Sequence, residues 1–344
     1  MKRLLGVVIG LVCYVFTMAC VLGEDSDPQE ATVASCGAKA VNNIRVSGYL
    51  NRGENRQCIQ HAPKKIVVVG ASETQMLLDF GVADRIVAAE LWYDRDVFFR
   101  KSQSHLLQRI PDMKGGAGSL EYVLMQEPDL FVAQQCVFTP QRYRSTDFWN
   151  RRGVVTMVPL NTNNPSKHVE RETIAKELGF IKDMGTVLGK EERARRFADD
   201  VEDTIRYVSG VSHNHHHPTV LVVEQFGDGI ACYSQRKLAG DMVRKLGGQV
   251  ADMPPMIDYE TLLMANPEVL FIVCSAGGEK TAVRNFLRHP LMSHLSAVKN
   301  NRVYAIPLEF VYSPETRLKD GLLMIAAGLY PEIRSELVRR ENNQ

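Results

Sequence analysis

The feature that most constrains this chain is a duplication. Ser119-Leu-Glu-Tyr-Val-Leu-Met-Gln-Glu-Pro-Asp-Leu-Phe-Val132 aligns without a gap on Asp258-Tyr-Glu-Thr-Leu-Leu-Met-Ala-Asn-Pro-Glu-Val-Leu-Phe271, the offset being the 139 residues from position 121 to position 260. Glu121/Glu260, Leu124/Leu263, Met125/Met264 and Pro128/Pro267 are identical pairs. Each copy opens on a polar residue and runs into a helix that the proline stops. An apolar run with the character of a buried strand follows. Such a chain reads as two copies of one architecture.

Between the copies lies Ser166 to Leu188, where Val169, Ile174, Leu178, Ile181 and Leu188 recur at helical spacing with no proline after Pro165. The spacing predicts one helix of about 35 Å at roughly 1.5 Å per residue. Taken alone, it fits either a crossover within one sheet or a brace between two lobes, and the duplication favours the brace. The 344 residues, 45% of them hydrophobic, supply enough apolar surface for two cores. Lys plus Arg number 41 against 40 Asp plus Glu, which argues against a general nucleic-acid binder.

The first half reads as alternating α/β. Lys65 to Val69 is a buried strand, Gly70-Ala71-Ser72 a turn, Glu73 to Phe80 a helix ending at Gly81, and Arg85 to Ala89 the next strand. The turn carries neither a dinucleotide GxGxxG, nor a phosphate-loop GxxxxGK[ST], nor a GxSxG elbow. In the second half, strands are expected at Thr219 to Val223, Val269 to Val273 and Arg302 to Ile306, with Glu224 to Gly229 as a loop. Helices are expected at Lys190 to Val208, Leu238 to Leu246, Leu318 to Leu329 and Ile333 to Arg340.

Ligands of α/β folds sit at the carboxyl ends of parallel strands. On that ground, and on planar or charged character, the candidate wall residues are Trp92, Tyr93 and Arg95 in the first half and Phe226, Tyr233, Tyr312 and Arg317 in the second. The alternative for the aromatic ones is local packing. His213-Asn-His-His-His217 looks like a metal cluster, but it lies in a linker before a strand and reads as a surface feature; no metal site is assigned.

The amino terminus reads as an export signal. Met1-Lys2-Arg3 is basic, and Leu4 to Gly23 has no charge before Glu24, so residues 1–23 are the expected signal peptide. Thr17-Met-Ala-Cys20 resembles a lipobox with Cys20 as the acylated residue, although Thr17 stands where Leu is usual; cleavage after Gly23 and an uncleaved anchor are the competing readings. Residues 24–61 read as an irregular tether with one short strand, and after export its Cys36 and Cys58 could pair.

Pro63 to Glu73, the Leu-Asp-Phe-Gly81 helix end, Ser119-Leu-Glu121 through Leu130, Leu246-Gly-Gly248 and Ala297-Val-Lys-Asn-Asn-Arg-Val-Tyr304 together resemble the class III periplasmic binding proteins of ABC importers, over roughly Pro63 to Pro331. The resemblance implies two Rossmann-like α/β lobes, residues 62–165 and 189–344, joined by one long helix over 166–188. A ligand would bind in the cleft between them, with little lobe movement.

It further implies a non-enzymatic monomer that captures an iron chelate, a ferric siderophore in the leading reading, and hands it to permease and ATPase subunits. Haem or cobalamin is the rival ligand. Haem would need an axial ligand such as Tyr93, His105 or Tyr143, whereas an anionic ferric siderophore would favour Trp92, Arg95, Tyr312 and Arg317. In the family a Glu of each lobe meets arginines of the two permease subunits, a role that falls here on Glu121 and Glu260. Their other reading is as favourable first-turn residues of their helices. An exported α/β enzyme is the rival from another class, and no nucleophile, base and orienting group stand at recognisable spacing to support it.

Overall fold

The computed structural model describes residues 39–91, 98–113, 119–161, 171–213, 215–227 and 229–342. The expected signal peptide, Cys20, Cys36, Trp92, Tyr93 and Arg95 lie outside them. The chain divides into two compact units, one of residues 1–169 with 183–191 and the other of residues 170–182 with 192–344.

In the first unit, β3 (Ile66–Val69), β4 (Ile86–Glu90), β5 (Leu130–Ala133) and β6 (Val155–Met157) form a four-stranded sheet in the order β4-β3-β5-β6, with every pair parallel. All four residues of β3 and all four of β5 are buried. Both faces of the sheet are therefore covered, which is why these strands read as unbroken apolar runs. Phe131 anchors one face, its ring lying 5.1 to 5.4 Å from those of Trp149, Phe138 and Tyr143. Helix α1 (Ala71–Asp79) follows β3 and α2 (Leu120–Met125) precedes β5.

The tether expected at 24–61 is corrected over its described part. β1 (Lys39–Ser47) and β2 (Leu50–Ile59) form an antiparallel hairpin whose turn residues Gly48 and Tyr49 both have positive φ. The hairpin covers the sheet edge at β6 through side-chain amides. Gln57 bonds both the N–H and the carbonyl of Thr156, at 2.8 and 2.7 Å, and Asn43 does the same for Val158, at 2.9 and 3.0 Å. Two carboxamides thus satisfy main-chain groups that a neighbouring strand would otherwise take. Cys58 is disulfide-bonded; because Cys136, Cys232 and Cys274 form no disulfide, its partner lies outside the described residues.

The helix between the halves, α3 (Ile174–Leu188), is shorter than expected. Arg171 to Thr173 is not helical. The hydroxyl of Thr173 accepts from the Lys176 N–H at 3.2 Å and a carboxylate oxygen of Asp241 accepts from the Ile174 N–H at 2.9 Å, so two donors of the first turn are satisfied there and the helix starts at Ile174. Helix α4 (Glu191–Ser212) comes next, with Ala194, Ala198 and Val201 on its buried face.

In the second unit, β7 (Thr219–Phe226), β11 (Val269–Cys274) and β12 (Val303–Pro307) run parallel, and β8 (Gly229–Cys232) and β10 (Met256–Ile257) extend the sheet antiparallel, in the order β10-β8-β7-β11-β12. A further short strand, β9 (Gln249–Val250), lies parallel to β7. The loop expected at Glu224 to Gly229 is instead a hairpin: β7 continues to Phe226, which pairs with Gly229 across the turn. Helices α5 (Leu238–Lys245), α6 (Tyr259–Ala265), α7 (Glu279–Leu287), α8 (Leu318–Leu329) and α9 (Arg334–Asn342) complete the unit. Among the described residues no helix is long and apolar enough to cross a membrane.

The duplication extends to individual hydrogen bonds. Ser119 caps α2 by accepting from the Tyr122 N–H, and Asp258 caps α6 by accepting from the Thr261 N–H. Glu127 and Asn266, 139 residues apart in turn, both have positive φ. The side chains of Asp129 and Glu268 accept from main-chain N–H groups of Lys65 and Thr219, where β3 and β7 begin.

Candidate functional site

In the first unit, the carboxyl end of β4 delivers Glu90. One of its carboxylate oxygens accepts from Arg142 at 2.6 Å and the other from the Tyr143 hydroxyl at 2.8 Å. Tyr143 is buried, and burial first, then the Glu90 charge and hydrogen bond, raises its hydroxyl well above the usual phenol range. The Tyr143 hydroxyl thus serves Glu90 here. His105 is exposed, in a single helical turn.

At the carboxyl end of β3 the chain turns through Gly70 at φ 129°, and a Cβ there would stand 1.9 Å from a Glu73 oxygen. Only glycine leaves room for this carboxyl, which is wholly buried with no hydrogen-bond partner among the described residues. Burial raises its pKa to about 7, opposed by its own main-chain N–H and by the nearby Gln134 amide, which lies outside bonding geometry.

In the second unit, β7 delivers Glu224, which accepts from the Tyr233 hydroxyl at 2.6 Å. Burial and then the Glu224 charge push the Tyr233 hydroxyl far up, with Tyr312 close enough to add to the shift. Burial likewise raises Glu224. After β12, Glu309 is buried, one of its oxygens is unpartnered among the described residues, and burial raises it to about 7 against the pull of Arg317. The Arg317 guanidinium lies 4.5 Å from the Phe310 ring centre and bonds Asp320 at 3.1 Å.

Gly321 of α8 permits this arrangement, since a Cβ there would come within 2.3 Å of the Phe310 carbonyl. Ser313 and Glu315, flanking Pro314 in the same stretch, both hold positive φ. Left-handed backbone at two non-glycine residues costs on the order of 1 kcal/mol or more each, strain of the kind that collects at functional sites.

Tyr312 thus lies within electrostatic reach of Tyr233, and Arg317 within that of Glu309. Phe226 lies two residues, about 7 Å of strand, beyond Glu224 and on the same side of β7. Sequence reasoning missed Glu90, Arg142, Glu73, Glu224 and Glu309. The signal available for Glu90 and Glu224 was a carboxylate at the end of an apolar strand run. Glu121 and Glu260 are both exposed, in the first turns of α2 and α6. Its own N–H and the Ser119 hydroxyl hold the Glu121 carboxyl below the usual range.

Three of the described histidines of the 213–217 stretch turn to different partners, His215 to Glu332, His216 to Glu268 and His217 to the Gly247 carbonyl. A groove of about 580 Å³ runs along α7, lined by Val283, Leu287 and Ala305 among others, and holds none of these tyrosines.

Comparison with known proteins places these features in context. The family model described as periplasmic binding protein matches residues 66–309. An uncharacterised ABC transporter substrate-binding lipoprotein of Bacillus subtilis, YvrC, is 22% identical over 286 residues, covering 81% of this chain and 83% of the relative. A periplasmic binding protein from Veillonella parvula is 25% identical with a TM-score of 0.78, over 87% of this chain and 93% of that one. A structure from Saccharomonospora viridis described as an ABC-type Fe3+-hydroxamate transport system shares the fold at a TM-score of 0.65 and 17% identity, over 83% of this chain and 98% of that one.

Proposed function

Because the chain belongs to the periplasmic binding protein family, we propose that it is the substrate-binding component of an ABC importer, that it binds a ferric chelate of the siderophore type, and that it performs no chemistry on it. One observation carries the reading. Each unit holds a tyrosine–glutamate pair on its sheet, Tyr143–Glu90 at the end of β4 and Tyr233–Glu224 on β7, bonded at 2.8 and 2.6 Å. Rigid polar groups of this kind suit a ligand with many oxygen and nitrogen atoms.

The charge of the second unit refines the ligand class. Glu224 and Glu309 are raised carboxyls, and Arg317 is already bonded to Asp320. This balance favours a neutral or cationic chelate presenting hydrogen-bond donors over the anionic one expected from Arg95 and Arg317. The wall residues Trp92, Tyr93, Arg95, Phe226, Tyr233, Tyr312 and Arg317 remain part of the proposal. Against haem, the Tyr143 hydroxyl is committed to Glu90 and His105 is an exposed surface residue.

Delivery is assigned to Glu121 and Glu260, one carboxylate on each unit, meeting cationic groups of a permease built from two like subunits. Export with a lipid on Cys20 completes the proposal, and fatty-acid labelling of the expressed protein checks it. The visible spectrum of protein purified from iron-limited growth tests the ligand: a broad charge-transfer band supports a ferric chelate, whereas a Soret band assigns haem instead.

A further inference from the structure

Two side chains stand out on the surface for their lack of any structural use. Met125 and Met264 are 79% and 82% exposed, whereas the other exposed large hydrophobic residues among those described, Tyr49, Met256 and Leu287, lie between 39% and 43%. A lone exposed apolar side chain needs no explanation. These two are equivalent positions of the duplication, and each follows the exposed glutamate of its helix by four residues. Residues four apart share one face of a helix, so α2 and α6 each display a carboxylate and, one turn on, a thioether.

The pattern of divergence between the copies makes the coincidence informative. Core positions have drifted, Val123 standing against Leu262 and Phe131 against Leu270, although all four are buried. Of the four identical pairs, Pro128/Pro267 is buried and ends its helix, and Leu124/Leu263 packs partly against its core. Glu121/Glu260 and Met125/Met264 are exposed in both units, and beyond the first-turn place of the glutamates neither pair contributes to its core. A requirement that acts alike on two separate units, at surface positions only, comes from a partner that offers the same surface twice.

We propose that Met125 and Met264 form the apolar half of a duplicated docking surface, and that its occupant is a membrane permease of two like subunits presenting a cation beside an apolar side chain. This rests on the importer reading above, in which Glu121 and Glu260 supply the charged half. Methionine suits a contact that must form and release with the ligand cycle, because its unbranched, polarisable side chain packs against varied shapes without a fixed rotamer.

The test reconstitutes the permease–ATPase complex in proteoliposomes and measures the half-saturating concentration of binding protein for ATPase stimulation. Loss of one buried thioether contact should raise it about tenfold. Met125→Ser/Met264→Ser should raise it further, with affinity for a ferric hydroxamate and the circular dichroism spectrum unchanged, and Met125→Leu/Met264→Leu should stay near wild type. Wild-type half-saturation in the serine variant, with a large rise in Glu121→Ala/Glu260→Ala, overturns this inference and leaves the charged docking intact. No change in either variant removes both readings. Weakened ferric hydroxamate binding in the serine variant overturns the inference by assigning the methionines to the ligand site. A dimer in sedimentation velocity that the serine variant dissociates overturns it in favour of a second copy of this chain.

Discussion

Replacing Glu73 with glutamine should make the first unit more stable at pH 8 and leave it unchanged near pH 5. The carboxyl is wholly buried over Gly70, lacks a hydrogen-bond partner among the described residues, and titrates near 7 rather than at the ordinary 4.5. A carboxyl whose pKa is raised on folding holds its proton more tightly in the native state than in the unfolded one. Between pH 4.5 and 7 the native state therefore binds more protons, and stability falls as pH rises through that window. A difference of this size corresponds to about 3 kcal/mol lost by pH 8.

Glu73→Gln keeps the shape and removes the charge, so it should recover on the order of 2 to 3 kcal/mol at pH 8. Both tryptophans lie in the first unit, so urea unfolding followed by tryptophan fluorescence reports that unit. Gly70→Ala is the steric counterpart: its Cβ would displace the Glu73 carboxyl, and it should destabilise at both pH values. Equal stability of Glu73→Gln and wild type at pH 8 would refute the claim that this carboxyl is buried and ionised at a cost.

Three further outcomes are expected. Glu121→Ala/Glu260→Ala should keep full affinity for a ferric hydroxamate and lose uptake in transport assays; normal uptake would leave the two glutamates as first-turn residues only. Trp92→Ala/Arg317→Ala should weaken ferric hydroxamate binding at least tenfold by isothermal titration, since each substitution removes a planar or charged contact of about 1 to 3 kcal/mol. Non-reducing peptide mapping should recover Cys58 joined to Cys36, and a Cys58→Ser variant should lose on the order of 2 to 4 kcal/mol of hairpin anchoring against urea.

The parts of the fold legible in the sequence were those built on apolar pattern. β3, β5 and β11 are continuous buried runs, and a run such as Ile66–Val69 announces a parallel strand without help from its neighbours. The β1–β2 hairpin escaped because its inward positions carry Asn43, Asn55 and Gln57, whose burial is supported by hydrogen bonds to β6 and Asn150 rather than by hydrophobicity. Periodicity cannot register a polar residue as an inward one.

The start of α3 was misjudged for a related reason, since Asp241, 67 residues away from Ile174, supplies part of its cap. Among the candidate wall residues, Tyr233 and Tyr312 stand out in the sequence because aromatic residues after apolar runs are conspicuous. Glu90 and Glu224 stand out less, because a carboxylate at the end of an apolar run has the pattern of a solvated residue. Only tertiary structure reveals the tyrosine hydroxyl bonded to each.

The central claim, capture of a ferric chelate by a non-enzymatic binding protein, is tested most directly by equilibrium titration of the purified, unliganded protein with a ferric hydroxamate, a ferric catecholate, haemin and cyanocobalamin, read by tryptophan quenching. The account predicts saturable one-to-one binding of a ferric chelate with a Kd of about 1 μM or tighter, equivalent to roughly −8 kcal/mol. Haemin and cyanocobalamin should bind at least tenfold more weakly. Saturable binding of haemin or cyanocobalamin alone, or of none of the four, would contradict it.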